Sequence, residues 1–104
     1  ADGAPVGFVW FIPRGAFHHS GYIRLIGVSP TKQGRGLGRE LMDHAERVLF
    51  ATSDDVFLLV SDFNLAAQRF YQRRGYAQVG ALPDYVLPGV TELIYCKRKP
   101  FRVA

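Results

Sequence analysis

Apolar and polar residues change their period several times along the chain, and each change marks an element. Val6 to Ile12 is almost wholly apolar and stops at Pro13, so it predicts a strand that ends there. Arg14 to Gly21 reads as a loop carrying His18 and His19. Tyr22 to Val28 is apolar apart from Arg24, the pattern of a central strand covered on both faces. From about Gly36 to Phe50 the period lengthens. Leu37, Leu41, Met42, Ala45, Val48 and Leu49 recur at helical spacing, with Arg39, Glu40, Asp43, Glu46 and Arg47 on other faces. Asp54-Asp55 marks a turn, and Val56 to Val60 is a short buried strand. A shorter helix follows, with Asn64 as its N-cap and Gly75 as its left-handed terminator. Tyr76 to Leu82 and Thr91 to Lys97 are two further strands joined by the loop Pro83–Gly89, and Ala1-Asp2-Gly3-Ala4 reads as a turn at the front.

The order is strand, strand, helix, strand, helix, strand, strand, an α/β chain without internal repeats. Its strand–helix–strand unit requires a right-handed crossover and parallel neighbours in the middle of a mixed sheet.

One corner of this pattern carries chemistry. Gln33-Gly34-Arg35-Gly36-Leu37-Gly38 joins the second strand to the first helix, and glycines at alternate positions keep side chains away from the backbone there. The unpaired N–H groups and positive dipole end of the helix point at the same place. The combination suits a phosphate or pyrophosphate; its bland counterpart is a glycine-rich helix cap with no ligand. A dinucleotide fingerprint would need glycine where Arg39 stands, and a Walker loop would need Lys and Ser or Thr after Gly38 in place of Arg39 and Glu40.

A second segment narrows the reading. Gln33 to Gly38 resembles the [QR]-x-x-G-x-[GA] signature of the GCN5-related N-acetyltransferases (GNAT family). Asn64-Leu65-Ala66-Ala67-Gln68-Arg69-Phe70-Tyr71-Gln72-Arg73-Arg74-Gly75-Tyr76 resembles that family's second signature, N-x-x-A-x-x-[FL]-Y-x-x-x-G-[FY], at every defined position. The resemblance implies a GNAT-type mixed sheet with a central parallel pair that splays into a V-shaped cleft. It also implies acetyl-CoA as co-substrate and transfer of its acetyl group to a primary amine by direct attack in a ternary complex. The alternative is a coenzyme A-binding module of the same fold without robust catalysis.

By the same resemblance, Gly34, Arg35, Gly36, Leu37, Gly38 and Arg39 would hold the pyrophosphate, with Gln33 at their head. Ile26, Gly27 and Val28 would pair with the pantetheine arm, and the Val28 N–H would face the thioester carbonyl. Asn64, Ala67, Phe70, Tyr71 and Arg73 would complete the cofactor site from the second helix, with Asn64 equally readable as a cap alone. Tyr71 is the candidate general acid for the departing thiolate, against a packed core tyrosine.

The general base stays open. Many family members carry a glutamate at the position of Arg24, and an arginine cannot accept a proton. Arg24 instead suits a carboxylate on the acceptor; His18, His19 and Tyr85 are further substrate-side candidates, with Asp62 and Asp84 behind them. The family serves small amines, aminoglycosides, amino acids, polyamines and protein N-termini, so the acceptor stays open as well.

Composition changes the picture at few points. At 104 residues, 48% hydrophobic and 13% aromatic, there is room for one domain spanning 1–104 and its core. The net charge of +4 is spread over several groups. Arg35 and Arg39 sit at the glycine corner, Arg69, Arg73 and Arg74 on the second helix, and Lys97, Arg98, Lys99 and Arg102 near the C-terminus, the last group reading as a solvated tail. A multiply charged coenzyme accounts for the first two groups. The aromatic residues mostly fall on core-facing strand positions and are not interleaved with the basic ones, so a nucleic-acid partner is not expected. No apolar run has the length of a membrane span. Cys96, the single cysteine, reads as a buried strand residue rather than a nucleophile and fits a reducing cytoplasm. No His, Cys or Asp cluster has metal-ligand spacing.

The family fold ordinarily begins with another strand, two helices and a strand ahead of the part resembled here, with Asp2-Gly3 as the turn after them. Val6–Ile12 is therefore expected to be an apolar sheet edge that pairs with a second chain, as in a homodimer, or is otherwise covered. Whether the natural chain extends upstream of Ala1 stays open.

Overall fold

The computed structural model describes residues 6–30, 33–34 and 36–99. The turn expected at Ala1–Ala4, Arg35 of the glycine corner and Arg102 lie outside the described residues. The elements are β1 (Gly7–Ala16), β2 (Ser20–Val28), α1 (Leu37–Leu49), β3 (Asp55–Ser61), α2 (Leu65–Arg73), β4 (Ala77–Pro83) and β5 (Thr91–Arg98). They follow the order the apolar pattern predicts. The five strands form one sheet ordered β1-β2-β3-β5-β4, in which β2 and β3 are parallel and all other neighbours antiparallel.

The first hairpin corrects the sequence reading. Pro13 does not end β1, and Arg14 to Gly21 is not a loop. β1 runs on to Ala16, which pairs with Ser20, and only Phe17, His18 and His19 form the turn. A break in register between Ile12 and Ala16 lets Pro13 lie where no ladder bond is required of it. A second irregularity pairs Trp10 with Leu25 and Phe11 with Ile23, leaving Arg24 as the extra residue of a bulge in β2.

Alternation along β3 shows where the core sits. Val56, Leu58 and Val60 are buried, together with Ile23 of β2, Met42, Ala45 and Leu49 of α1, Tyr71 of α2 and Tyr95 of β5. Both helices therefore cover one face of the sheet. The other face is open: Phe8, Trp10 and Leu25 are each about half exposed. β2 is central by pairing, yet it is not covered on both faces as its continuous apolar run suggested. Most aromatic strand positions are expected to face the core; Phe8 and Trp10 of β1 do not, and are exposed. Among the described residues β1 has β2 as its one neighbour, so it is an edge strand as expected. No helix among the described residues is long and apolar enough to cross a membrane.

Candidate functional site

Two clefts flank the end of β2. The parallel pairing of β2 with β3 covers only Gly21–Ile23 against Val56–Leu58. Beyond Ile23 the strands separate, and a cleft of about 300 Å3 opens between Arg24–Ile26 on one side and Leu59–Ser61 on the other. A larger cleft of about 690 Å3 lies where β2 passes through the glycine corner into α1, bounded across from the corner by Phe70 and Arg73 of α2.

The corner needs its first two glycines for backbone reasons. Gly34 and Gly36 have φ of 82° and 78°, in the left-handed region that side chains disfavour. Gly36 is the N-cap of α1, and its carbonyl accepts the Glu40 N–H at 3.1 Å, so the first-turn amides before Glu40 have no partner within the helix. Gly38 differs: its φ is not left-handed, and a Cβ there would meet Phe70 of α2 at 3.6 Å, ordinary contact, so neither backbone nor packing demands glycine at that position. The Gln33 side chain donates to the Val28 carbonyl at 3.2 Å and ties the corner back onto the strand it leaves. The Arg39 guanidinium lies over Gly36, 3.1 Å from where a Cβ would stand. A cation, a row of unpaired amides and a helix dipole thus converge on one concave surface.

The strand behind the corner has a defined orientation. Ser29 N–H donates to the Val6 carbonyl at 2.7 Å, towards β1. Successive amides along a strand point opposite ways, so the Val28 N–H faces away from β1. Past Ile23 that edge of β2 has no strand partner among the described residues. Gly27 is screened on the open face by the ring of Phe8, 2.6 Å from an added Cβ.

α2 supplies the opposing wall. Asn64 caps it, its Oδ1 accepting the Ala67 N–H at 3.1 Å, and Gly75 ends it with φ 96°. Asn64, Ala67 and Tyr71 line the smaller cleft with Ile26 and Arg24. Tyr71 is 8% exposed, packs edge-on against Phe70 and Tyr76, and has no hydrogen bond to its hydroxyl among the described residues. Burial pushes its phenol above the usual 10.0, so it stays a proton donor throughout the neutral range.

Beneath the larger cleft lies a charge cluster with no counterpart in the sequence reading. Glu46 of α1 is buried and accepts from Lys97 Nζ at 2.8 Å, from Tyr76 Oη at 3.0 Å and from Arg74 Nε at 3.3 Å, while Arg74 Nη2 also reaches Asp43 Oδ1 at 2.8 Å. Burial disfavours the charge on Arg74, but the hydrogen bonds it donates to Glu46 and Asp43, with the attraction of those carboxylates, outweigh it and hold the guanidinium above its usual range. Burial and the neighbouring Glu46 carboxylate push the Tyr76 phenol far up. Lys97 is therefore not part of a solvated tail, and Arg98 too has a partner, Asp55 at 3.5 Å. Arg74 and Lys97 are committed to carboxylates; Arg39 and Arg73 have no ion pair among the described residues and remain for an anionic ligand.

Other candidates are set apart. His18 and His19 sit in the turn at the start of β2, a strand's length from the glycine corner, and neither lines either cleft. The long loop between β4 and β5 presents Val86, not Tyr85, to the smaller cleft. Asp62 is spent on the backbone of Thr91, and Asp84 on the Gly89 N–H. Cys96 is buried, and burial raises its thiol, as fits a packed strand residue. Glu92, which lines the smaller cleft, went unread in the sequence because its neighbours suggested only an alternating strand; it pairs across strands with Ser61.

The sequence model of the Acetyltransferase (GNAT) family matches residues 1–76. The chain is 39% identical over 89 residues to mycothiol acetyltransferase of Beutenbergia cavernae, covering 84% of this chain and 29% of that protein. It is 40% identical over 63 residues to N-alpha-acetyltransferase RimI of Mycobacterium tuberculosis, covering 61% of this chain and 39% of that one. The structure of nourseothricin acetyltransferase superposes with a TM-score of 0.86 at 26% identity, over 95% of this chain and 61% of the other. The chain thus spans about three tenths of the length of the mycothiol acetyltransferases it matches.

Proposed function

The chain belongs to the acetyltransferase (GNAT) family, and from that premise we propose that it is an acetyl-CoA-dependent N-acetyltransferase acting on a primary amine. The observation that carries the reading is the glycine corner. Left-handed Gly34 and Gly36, the free first-turn amides of α1 and the uncommitted Arg39 and Arg73 form one anion-binding surface at the mouth of a cleft large enough for a nucleotide. The coenzyme's diphosphate rests there. Its extended arm runs along the unpaired edge of β2 from Val28 towards Arg24, taking the ladder position that β3 vacates.

In that pose the Val28 N–H points at the thioester carbonyl and stabilises the oxyanion that forms on attack. The amine nitrogen bonds to the carbonyl carbon, the carbon–sulfur bond breaks, and Tyr71 gives its proton to the departing sulfur. Tyr71 suits this because burial keeps its hydroxyl protonated. Arg24 takes no proton. Its guanidinium stacks 5.2 Å above the Trp10 ring at the cleft mouth, on the acceptor side.

Calorimetry with coenzyme A and a thermal-shift series test the binding half. At a hundredfold excess over Kd the ligand stabilises by about 2.7 kcal/mol, an upward shift of roughly 10–20 °C for a domain of this size. Thiol release from acetyl-CoA over a panel of primary amines tests the transfer half. Binding without amine-dependent thiol release would leave a coenzyme A-binding module in place of an enzyme, and absence of binding would refute both.

A further inference from the structure

The smaller cleft holds a carboxylate at the place where a transferase needs a proton acceptor. Glu92 lies on β5 between two neighbours, paired with Ser61 of β3 and Leu82 of β4, so its backbone is fixed from both sides. Cross-strand partners share a face. Val56, Leu58 and Val60 point at the helices, and Ser61 and Glu92 therefore point at the open face, opposite Tyr71. Both reach the same cleft, with Arg24 at its mouth.

The surroundings of Glu92 are incomplete for a structural carboxylate. Glu92 is 8% exposed and accepts one hydrogen bond, from the Ser61 hydroxyl to Oε2 at 2.7 Å. Among the described residues it has no ion pair, in contrast to Glu46, which has two cations and a phenol. Its other oxygen, Oε1, is not sealed from solvent. A carboxylate withdrawn from water with neither a cation nor a full set of donors is costly, and a cation brought in from outside would offset that cost.

We propose that Glu92 receives the acceptor amine as its ammonium ion and takes the proton that frees the nitrogen lone pair. The inference rests on the transferase reading above and adds to it the identity of the base. The balance closes with two protons. The ammonium gives one to Glu92, which passes it to solvent. The neutral amine then attacks the thioester carbon, and the second proton leaves the nitrogen as Tyr71 donates its own to the sulfur and is re-protonated. The acceptor class that follows is a basic, unhindered primary amine, charged in solution, entering from the open face of the sheet.

The test is the isosteric Glu92→Gln in the full chain, assayed by thiol release with a panel of primary amines, each beside its less basic β-fluorinated analogue. The expected result is a loss on the order of 10²-fold in kcat/KM for the basic amines, a much smaller loss for analogues already neutral in solution, and unchanged coenzyme A affinity. Ser61→Ala, which frees Oε2, loses about fivefold with the same preference among amines. Equal losses for both amine types would show Glu92 to be structural and overturn the proposal, as would a variant within twofold of the parent. A parent chain that binds acetyl-CoA yet releases no thiol with any amine would overturn the transferase reading and this inference with it. That failure appears in the parent, whereas failure of Glu92 alone appears only in the variants.

Discussion

Replacing Glu46 by alanine tests how far the charge cluster holds the two helices together. Its carboxylate is the one acceptor shared by Arg74 at the end of α2, Tyr76 just after it and Lys97 on β5, so it ties α1 to two other parts of the chain. The side chains of Glu46, Arg74 and Lys97 are 9%, 11% and 18% exposed. Removing one partner of such a buried set strands the others, at a cost of about 3–5 kcal/mol. Arg74 keeps Asp43, and the cleft above admits water, so the lower end applies. A loss of about 3 kcal/mol is a large part of the 5–15 kcal/mol typical of a domain and lowers Tm by roughly 12–24 °C. Urea unfolding followed by circular dichroism measures it, with an unchanged slope showing that both end states kept their compactness. A paired Glu46→Met and Lys97→Met variant fills the space with apolar groups and recovers most of the loss, because the carboxylate and its facing cation leave together. A Glu46→Ala loss below about 1 kcal/mol would refute the argument, since that is what an exposed ion pair delivers.

Four further outcomes follow from the site and the sheet. Tyr71→Phe lowers kcat by roughly tenfold or more with acetyl-CoA affinity unchanged; because burial raises the phenol, the alkaline limb of the parent's pH profile lies above that of an ordinary tyrosine, and the variant lacks that limb. Gly36→Ala places a Cβ at φ 78° and against Arg39, costing about 1–2 kcal/mol in stability and weakening coenzyme A binding measured by calorimetry. Asn64→Ala removes the α2 cap and costs about 1 kcal/mol in urea unfolding, with a further loss of coenzyme affinity only where the side chain also touches the ligand. The edge strand β1, with Phe8 and Trp10 half exposed, is expected to pair with a second copy of the chain: sedimentation velocity should show a dimer that Trp10→Lys dissociates, and a monomer at every concentration would refute it.

How much of this was legible in the sequence depended on the range over which each signal acts. The elements came through because apolar period is local: Leu37 to Leu49 repeats every three or four residues whatever it packs against, and Asn64 and Gly75 fix the ends of α2 by their own backbone preferences. The glycine corner came through for the same reason, since positive φ at Gly34 and Gly36 is a property of single residues. Where pairing decides, the local signal fails. Pro13 reads as a strand end, but a register break accommodates it; the run Tyr22–Val28 reads as a central strand along its length, but the parallel pairing with β3 stops at Ile23. The same rule hides the charged groups. Nothing beside Glu92 in the chain marks it as different from the alternating residues around it; its character comes from Ser61, 31 positions away, and from a splay that begins on a third strand. Glu46 looks like any solvated helix residue until the chain brings Lys97 to it across 51 positions. Residues whose chemistry is set by long-range partners are invisible to a motif, and in this fold they include both buried carboxylates that face its clefts. The motifs therefore locate the proposed cofactor corner, which is built from backbone and local turns. The proposed acceptor side is built from side chains that only the assembled sheet brings together.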